Sequence, residues 1–322
     1  MMVRRPTVDA SPKPVPAVRR PAAGTRNKGS GMQINQLHPR FVGEIIGLDT
    51  SGPITPQMVE AVEAAMAKYA VCVIRDASLA DEDHIRFSRA FGPLELPPAG
   101  GKRIAPELYD IGNLDPDGEI IPPKPEGAQP TDFELFHTDS PFNDLPTKWS
   151  LLLAYVTPPV GANTEYIDTR AVYEDLPQEM KDRIENLSVE HDLFRALQRN
   201  GVQFGDDAMK KAYPRMAHPL VRTSASGRKA LYMGWHGVGI VGWSEEHGLR
   251  LLDELYAFAT QEKYIYSHQW RPGDMVIWDN RCTMHSATSF ERYRYKRDMR
   301  RTTINESGPE VSAIAAMREA AD

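Results

Sequence analysis

Apolar residues recur at two spacings along the chain, and the switches between them mark out the expected elements. Thr55 and Pro56 have the residue types of an N-cap and a first helical position. After them, Met58, Val59, Val62, Met66 and Tyr69 return at helical spacing. An apolar strand is expected at 71–74, then a short helix at 81–91 with Gly92 as its stop. Residues 97–131, rich in Pro, Gly, Asp and Lys, read as a long loop, a feature that in a compact domain is usually functional. Beyond it, 133–142 and 149–156 read as strands, and 172–187 and 244–261 as helices. Leu249, Leu252, Leu255 and Phe258 form much of the expected buried face of the later helix, and 217–235 carries strand pieces around Gly227. A strand at 275–278 follows the turn signal Pro272-Gly273-Asp274, and 297–304 is the last one. Many short strands with a few inserted helices predict a mainly β, α+β chain of the jelly-roll (double-stranded β-helix) type.

Composition narrows the class. The 322 residues, 41% hydrophobic and 25% charged, describe an ordinary globular protein able to bury a sizeable core. No apolar run approaches the ~20 residues of a membrane span. Cys72 and Cys282 stand far apart in no Cys-x-x-Cys pattern, so neither a disulfide framework nor a thiolate zinc site is expected, and a cytoplasmic location fits. Cys72 reads as a small buried hydrophobe. The net charge of -6 argues against general nucleic-acid binding. That charge is uneven: residues 1–31 hold seven Lys/Arg against one acid, with five prolines, leaving 31 basic and 43 acidic residues, a net of -12, in the remainder. Residues 1–31 are therefore expected to be a disordered basic tail, followed by one domain over 32–310 and a short tail at 311–322. A homo-oligomer is expected.

The chemistry concentrates at Phe136-His137-Thr138-Asp139-Ser140. In a strand, residues i and i+2 share a face, so the His137 imidazole and the Asp139 carboxylate converge on one point. With a distant second histidine they would make a two-His-one-carboxylate set, which leaves open positions on Fe(II). By itself His-x-Asp is a weak signal, and of the chain's nine histidines the eight besides His137 are available for the third place.

Residues 278–285 (WDNRCTMH) resemble the signature that precedes the distal iron histidine in the taurine dioxygenase/2,4-dichlorophenoxyacetate dioxygenase family. Residues 296–303 (KRDMRRTT) resemble its arginine-rich closing strand, 136–142 (FHTDSPF) its His-x-Asp strand, and 161–168 (GANTEYID) the strand that follows. The similarity extends thinly over 35–305, through His38-Pro39 and residues 91–95 (FGPLE). The resemblance implies a dioxygenase using Fe(II), 2-oxoglutarate and O2, with ascorbate as a stimulant. It implies His137, Asp139 and His285 as iron ligands, Thr164 and Arg297 as the clamp on the distal carboxylate of 2-oxoglutarate, and Arg301 as the partner of an anionic primary substrate. Lys102, Arg103 and His236 are weaker candidates for the substrate pocket, and Trp278 for packing beside the iron. The resemblance is nearest to the aryloxyacetate branch, through Trp278–Arg281, the Arg300-Arg301 doublet and residues 217–230 (AHPLVRTSASGRKA). Sulfonates and alkyl sulfates are the alternative substrates.

The residues support these roles separately. In a strand Arg297, Met299, Arg301 and Thr303 share one face, and two guanidinium groups four residues apart, about 13 Å along the strand, can serve two anions. Arginine's planar fork suits a carboxylate or sulfonate. Two readings from other classes stand beside this one. A zinc-dependent hydrolase could use the same three ligands but would need no Arg297–Thr164 clamp. A catalytically silent binding protein would need no intact triad.

Overall fold

The computed structural model describes residues 32–77, 79–96, 105–123, 135–143, 145–199 and 214–307. The expected tails at 1–31 and 311–322, and the pocket candidates Lys102 and Arg103, lie outside them. In chain order the described strands are β1 (Gln33–Gln36), β2 (Gly43–Ile46), β3 (Val71–Ile74), β4 (Tyr109–Asp110), β5 (Thr147–Val156), β6 (Thr164–Asp168), β7 (Ser188–His191), β8 (Met216–Pro219), β9 (Val221–Thr223), β10 (Lys229–Leu231), β11 (Gly237–Ile240), β12 (Ile265–His268), β13 (Met275–Asp279), β14 (Thr283–Ala287) and β15 (Asp298–Asn305). The helices are α1 (Pro56–Tyr69), α2 (Asp81–Arg89), α3 (Thr169–Asp175), α4 (Gln178–Ile184), α5 (Leu193–Arg199) and α6 (Glu245–Ala259).

A seven-stranded sheet in the order β1-β2-β3-β13-β5-β15-β4 faces a three-stranded sheet, β12-β6-β14. All pairings are antiparallel except β2 with β3. The central strands are buried on both sides, so they read as continuous apolar runs, yet their side chains still alternate. Val71, Val73, Leu152, Ala154, Val276, Trp278 and Met299 point inward and meet Tyr166 of the small sheet. Cys72, Ile74, Leu151, Leu153, Met275 and Ile277 point outward and pack under Val62 and Met66 of α1 and Phe87 of α2. A third cluster joins Ile167 and Met284, on the outer face of the small sheet, to Val172 of α3 and to Leu251 and Leu255 of α6. The result is helix, sheet, sheet, helix: the jelly-roll core with helical insertions that the strand pattern predicts. Cys72 and Cys282 are free and buried. No described helix is long and apolar enough to cross a membrane.

Local chemistry explains most boundaries. The Thr55 side chain accepts a hydrogen bond from the Met58 amide with Pro56 in the first turn, as expected of an N-cap. Ser244 does the same for α6. Three expectations are corrected. The helix expected at 172–187 is two, α3 and α4, because the chain is extended at Leu176 and Pro177 between them. The buried stripe of α6 runs through Gly248, Leu251, Leu252, Leu255 and Ala259, leaving Leu249 and Phe258 only half-buried. The helix turns this way because Gly248 lies against β11, where a Cβ would come 2.7 Å from the Ile240 nitrogen. Finally, the described part of 133–142 is no regular strand: His137 makes one isolated bridge to His285, and the chain turns at Ser140, whose φ is 47°.

Candidate active site

The isolated bridge brings two sequence-distant histidines together. The His137 amide donates to the His285 carbonyl (3.0 Å) and the His285 amide to that of His137 (2.8 Å), so the ring centroids lie 4.2 Å apart. His137 Nδ1 lies 2.9 Å from the Leu135 carbonyl and donates to it, leaving the Nε2 lone pair free for a metal. His285, on β14, has Trp278 at 4.7 Å and Tyr166 at 6.2 Å between centroids. One ligand atom from each of His137, Asp139 and His285 falls within 4.8 Å of the others, a grouping able to hold a metal ion. Burial pushes both imidazoles below their usual range, which favours the neutral form that a metal needs.

Asp139 is buried, and burial alone would raise its pKa. The guanidinium of Arg301, then His285 and His137, and a hydrogen bond from Ser150 outweigh that and hold the carboxyl well below the usual range. Its two oxygens have different neighbours. Oδ2 accepts from Ser150 Oγ at 2.6 Å, whereas Oδ1 accepts from Arg301 Nη1 and lies 3.9 Å from His285 Nε2.

Arg301 sits on the inward face of β15 with Met299, and Arg297 immediately precedes that strand, two residues before Met299. Burial pushes Arg297 down to about 10, so it stays charged at neutral pH. Among the described residues it has no carboxylate partner. Its Nη1 donates to the Ile111 carbonyl (3.3 Å) and its Nε has no hydrogen-bond partner. Its backbone is pinned by Asn113, whose Oδ1 accepts from the Arg297 amide at 2.7 Å. Thr164, on β6, is buried, and its hydroxyl accepts from Trp270 Nε1 at 2.9 Å, which leaves the hydroxyl proton to donate elsewhere. Arg301 also stacks on Tyr109, its guanidinium 4.5 Å from the ring centroid, and its Nε has no hydrogen-bond partner among the described residues. Beyond the ring lies buried Glu95, which accepts from Tyr109 and from Ser140 Oγ (2.9 Å). Arg301, the expected partner of an anionic substrate, is thus already committed in part to Asp139 and Tyr109.

His236 does not open onto a pocket, which corrects its place among the substrate candidates. It is buried, with Nε2 2.9 Å from the Thr138 carbonyl and Nδ1 3.0 Å from His191 Nδ1, so both ring nitrogens are spent behind the His137–Asp139 turn. His218 supports the same turn at the Pro141 carbonyl (2.8 Å). Sequence reasoning missed Ser150, Asn280, Tyr109 and Glu95. Asn280 stood inside the quoted 278–285 stretch, but nothing local marks its side chain as turned toward Asp139.

Comparison with known proteins gives a consistent answer. The family described as taurine catabolism dioxygenase TauD, TfdA family matches residues 33–303. The chain is similar to the alpha-ketoglutarate-dependent 2,4-dichlorophenoxyacetate dioxygenase of Burkholderia sp. (strain RASC), 37% identical over 281 residues that cover 84% of this chain and 94% of that one. It is similar to the (S)-phenoxypropionate/alpha-ketoglutarate-dioxygenase of Sphingobium herbicidovorans, 34% identical over 71% of this chain and 80% of that one. Among solved structures it resembles AAD-2 in complex with Mn(II) and N-oxalylglycine, with a TM-score of 0.78, 37% identity, and coverage of 87% of this chain and 98% of that one.

Proposed function

The chain belongs to the TauD/TfdA family of dioxygenases, and from that premise we propose that it is an Fe(II)- and 2-oxoglutarate-dependent dioxygenase acting on an aryloxyacetate. The observation that carries the reading is the pairing of a His137–Asp139–His285 cluster with a buried Arg297 that has no carboxylate partner among the described residues. A hydrolytic zinc site needs the first and has no use for the second. Two neutral imidazoles and a carboxylate suit Fe(II), and an uncompensated buried guanidinium suits the far carboxylate of a dicarboxylic keto acid.

Iron held by His137, Asp139 and His285 would couple O2 reduction to conversion of 2-oxoglutarate into succinate and CO2, with one oxygen atom delivered to a substrate C–H bond. The chain's own work is positional. Arg297 and the Thr164 hydroxyl hold the distal carboxylate, which fixes the co-substrate by the end that does not react. Arg301, with its Nη1 on Asp139, offers its remaining N–H groups to the anionic end of the primary substrate, beside the cluster. Trp278 and Tyr166 pack round His285 and exclude water from that side. Hydroxylation of an aryloxyacetate at the carbon beside the ether oxygen gives a hemiacetal, which collapses to a phenol and glyoxylate. Relatives named for 2,4-dichlorophenoxyacetate and phenoxypropionate support that substrate class.

The test is turnover by the Fe(II)-loaded protein with 2,4-dichlorophenoxyacetate, taurine and an alkyl sulfate in parallel. Succinate and phenol released together from the aryloxyacetate are expected. Succinate formed only with taurine or the sulfate would overturn the substrate class, and no succinate with any of them would overturn the reaction itself.

A further inference from the structure

We infer that Ser150 and Asn280 are positioning residues that keep Asp139 bound to the metal through one oxygen only. The inference rests on the reading of Asp139 as a ligand given above.

It comes from the direction of each proton in a buried chain of hydrogen bonds. Asn280 Oδ1 lies 3.0 Å from the Asp139 amide and 3.1 Å from Trp278 Nε1, and both of those groups can only donate. The amide oxygen must therefore face them, and the amide nitrogen must face the other way. There Nδ2 donates to Ser150 Oγ at 2.9 Å. The Ser150 hydroxyl, having accepted that bond, sends its own proton to Asp139 Oδ2 at 2.6 Å, because a carboxylate oxygen can only accept. Thr138 adds a further donor, its hydroxyl 2.6 Å from the Asn280 carbonyl and 3.3 Å from Oδ1. Ser150, Asn280 and Thr138 are all buried, so no water competes for these groups.

The consequence is an asymmetric carboxylate. Oδ2 is tied back to β5, while Oδ1 faces His285 and shares Arg301. Three protein ligand atoms leave three positions on a six-coordinate ion, enough for a chelating keto acid and O2. Were Asp139 free to swing and bind through both oxygens, one of those positions would close. Ser150, held by Asn280, prevents the swing.

Co(II) provides a readout independent of turnover, since its visible absorption weakens as coordination rises from five to six. The parent, Ser150→Ala and Asn280→Asp are loaded anaerobically with Co(II) and then titrated with 2-oxoglutarate. Asn280→Asp keeps the acceptor for Asp139 and Trp278 but removes the donor to Ser150, so it should imitate Ser150→Ala. Both variants are expected to show a changed Co(II) spectrum and 2-oxoglutarate binding weakened about tenfold or more, the scale of one charge-assisted hydrogen bond. If Asn280→Asp does not fold, as judged by near-ultraviolet circular dichroism, Ser150→Ala decides alone. A parent-like spectrum and parent-like 2-oxoglutarate affinity in Ser150→Ala would overturn the inference. Asp139→Ala separates the two levels: if its Co(II) spectrum equals the parent's, the ligand reading has failed, and the positioning role falls with it.

Discussion

Arg301 touches Asp139 through one nitrogen and the face of Tyr109 through its plane, with its Nε unpartnered among the described residues. A substitution there consequently has two effects. Arg301→Ala should raise the constant for an anionic substrate about ten- to a hundredfold, the worth of a charge-assisted contact. It should also change metal affinity, because Asp139 loses the cation hydrogen-bonded to its Oδ1. Arg297→Ala should weaken 2-oxoglutarate by a similar factor while leaving metal affinity near the parent's, since Arg297 touches no ligand. Separate titrations of metal, 2-oxoglutarate and substrate distinguish these outcomes. Unchanged metal affinity in Arg301→Ala would show that the Asp139 contact is dispensable. Arg301→Lys should recover part of the loss, since an ammonium restores the charge but not the fork or the stacking on Tyr109.

β15 shows how one element serves two environments. Its inward residues include Arg301, while Thr302 on the other face lies 2.6 Å from the Ser88 hydroxyl and 3.2 Å from His84 under α2. Arg300 on that outer face packs over Tyr155 and pairs with Asp298. α6 makes the matching point about helices. Gly248 in its interior should cost about 1 kcal/mol of helix propensity relative to Ala. Yet Gly248→Ala is expected to destabilise by up to about 2 kcal/mol net, since a Cβ 2.7 Å from the Ile240 nitrogen must push α6 off β11 and overpacking typically costs 1–3 kcal/mol, offset by about 1 kcal/mol of helix propensity. Urea unfolding measures the difference. A Gly248→Ala variant more stable than the parent would show that α6 can shift without loss.

At the scale of the whole molecule, the buried charge of Arg297, which has no carboxylate partner among the described residues, is a cost carried by the fold, and a bound dicarboxylate should relieve it. Ligand that binds only the folded chain adds about 2.7 kcal/mol at a hundred times its Kd. 2-Oxoglutarate with Mn(II) should accordingly raise the parent's melting temperature. Arg297→Gln, which removes the buried charge, should melt no lower than the parent without ligand and should gain little from 2-oxoglutarate. Differential scanning fluorimetry with and without 2-oxoglutarate checks both. An equal ligand-induced rise in parent and variant would place the carboxylate clamp elsewhere.

Much of this architecture was legible in the order of residues, because its causes are local. The period of apolar positions, the Thr55 cap and the turn at Pro272-Gly273 depend on neighbours a few residues away. The alternation expected along 297–304 put Arg297 and Arg301 on one face before any packing was known, and a jelly-roll core fitted the count and length of strands. The misreadings have non-local causes. α6 turned its Gly248 inward because β11 happens to lie there, and 133–142 bends at Ser140 although its composition suits a strand. His236 looked like a pocket residue and instead spends both nitrogens behind Thr138. That Ser150 and Asn280 hold one oxygen of Asp139, and that Arg301 shares the other, could be decided only in three dimensions. Ser150 lies on β5 and Asn280 just beyond β13, and only the hydrogen-bonded pairing of β5 with β13 and β15 brings them to the same carboxylate.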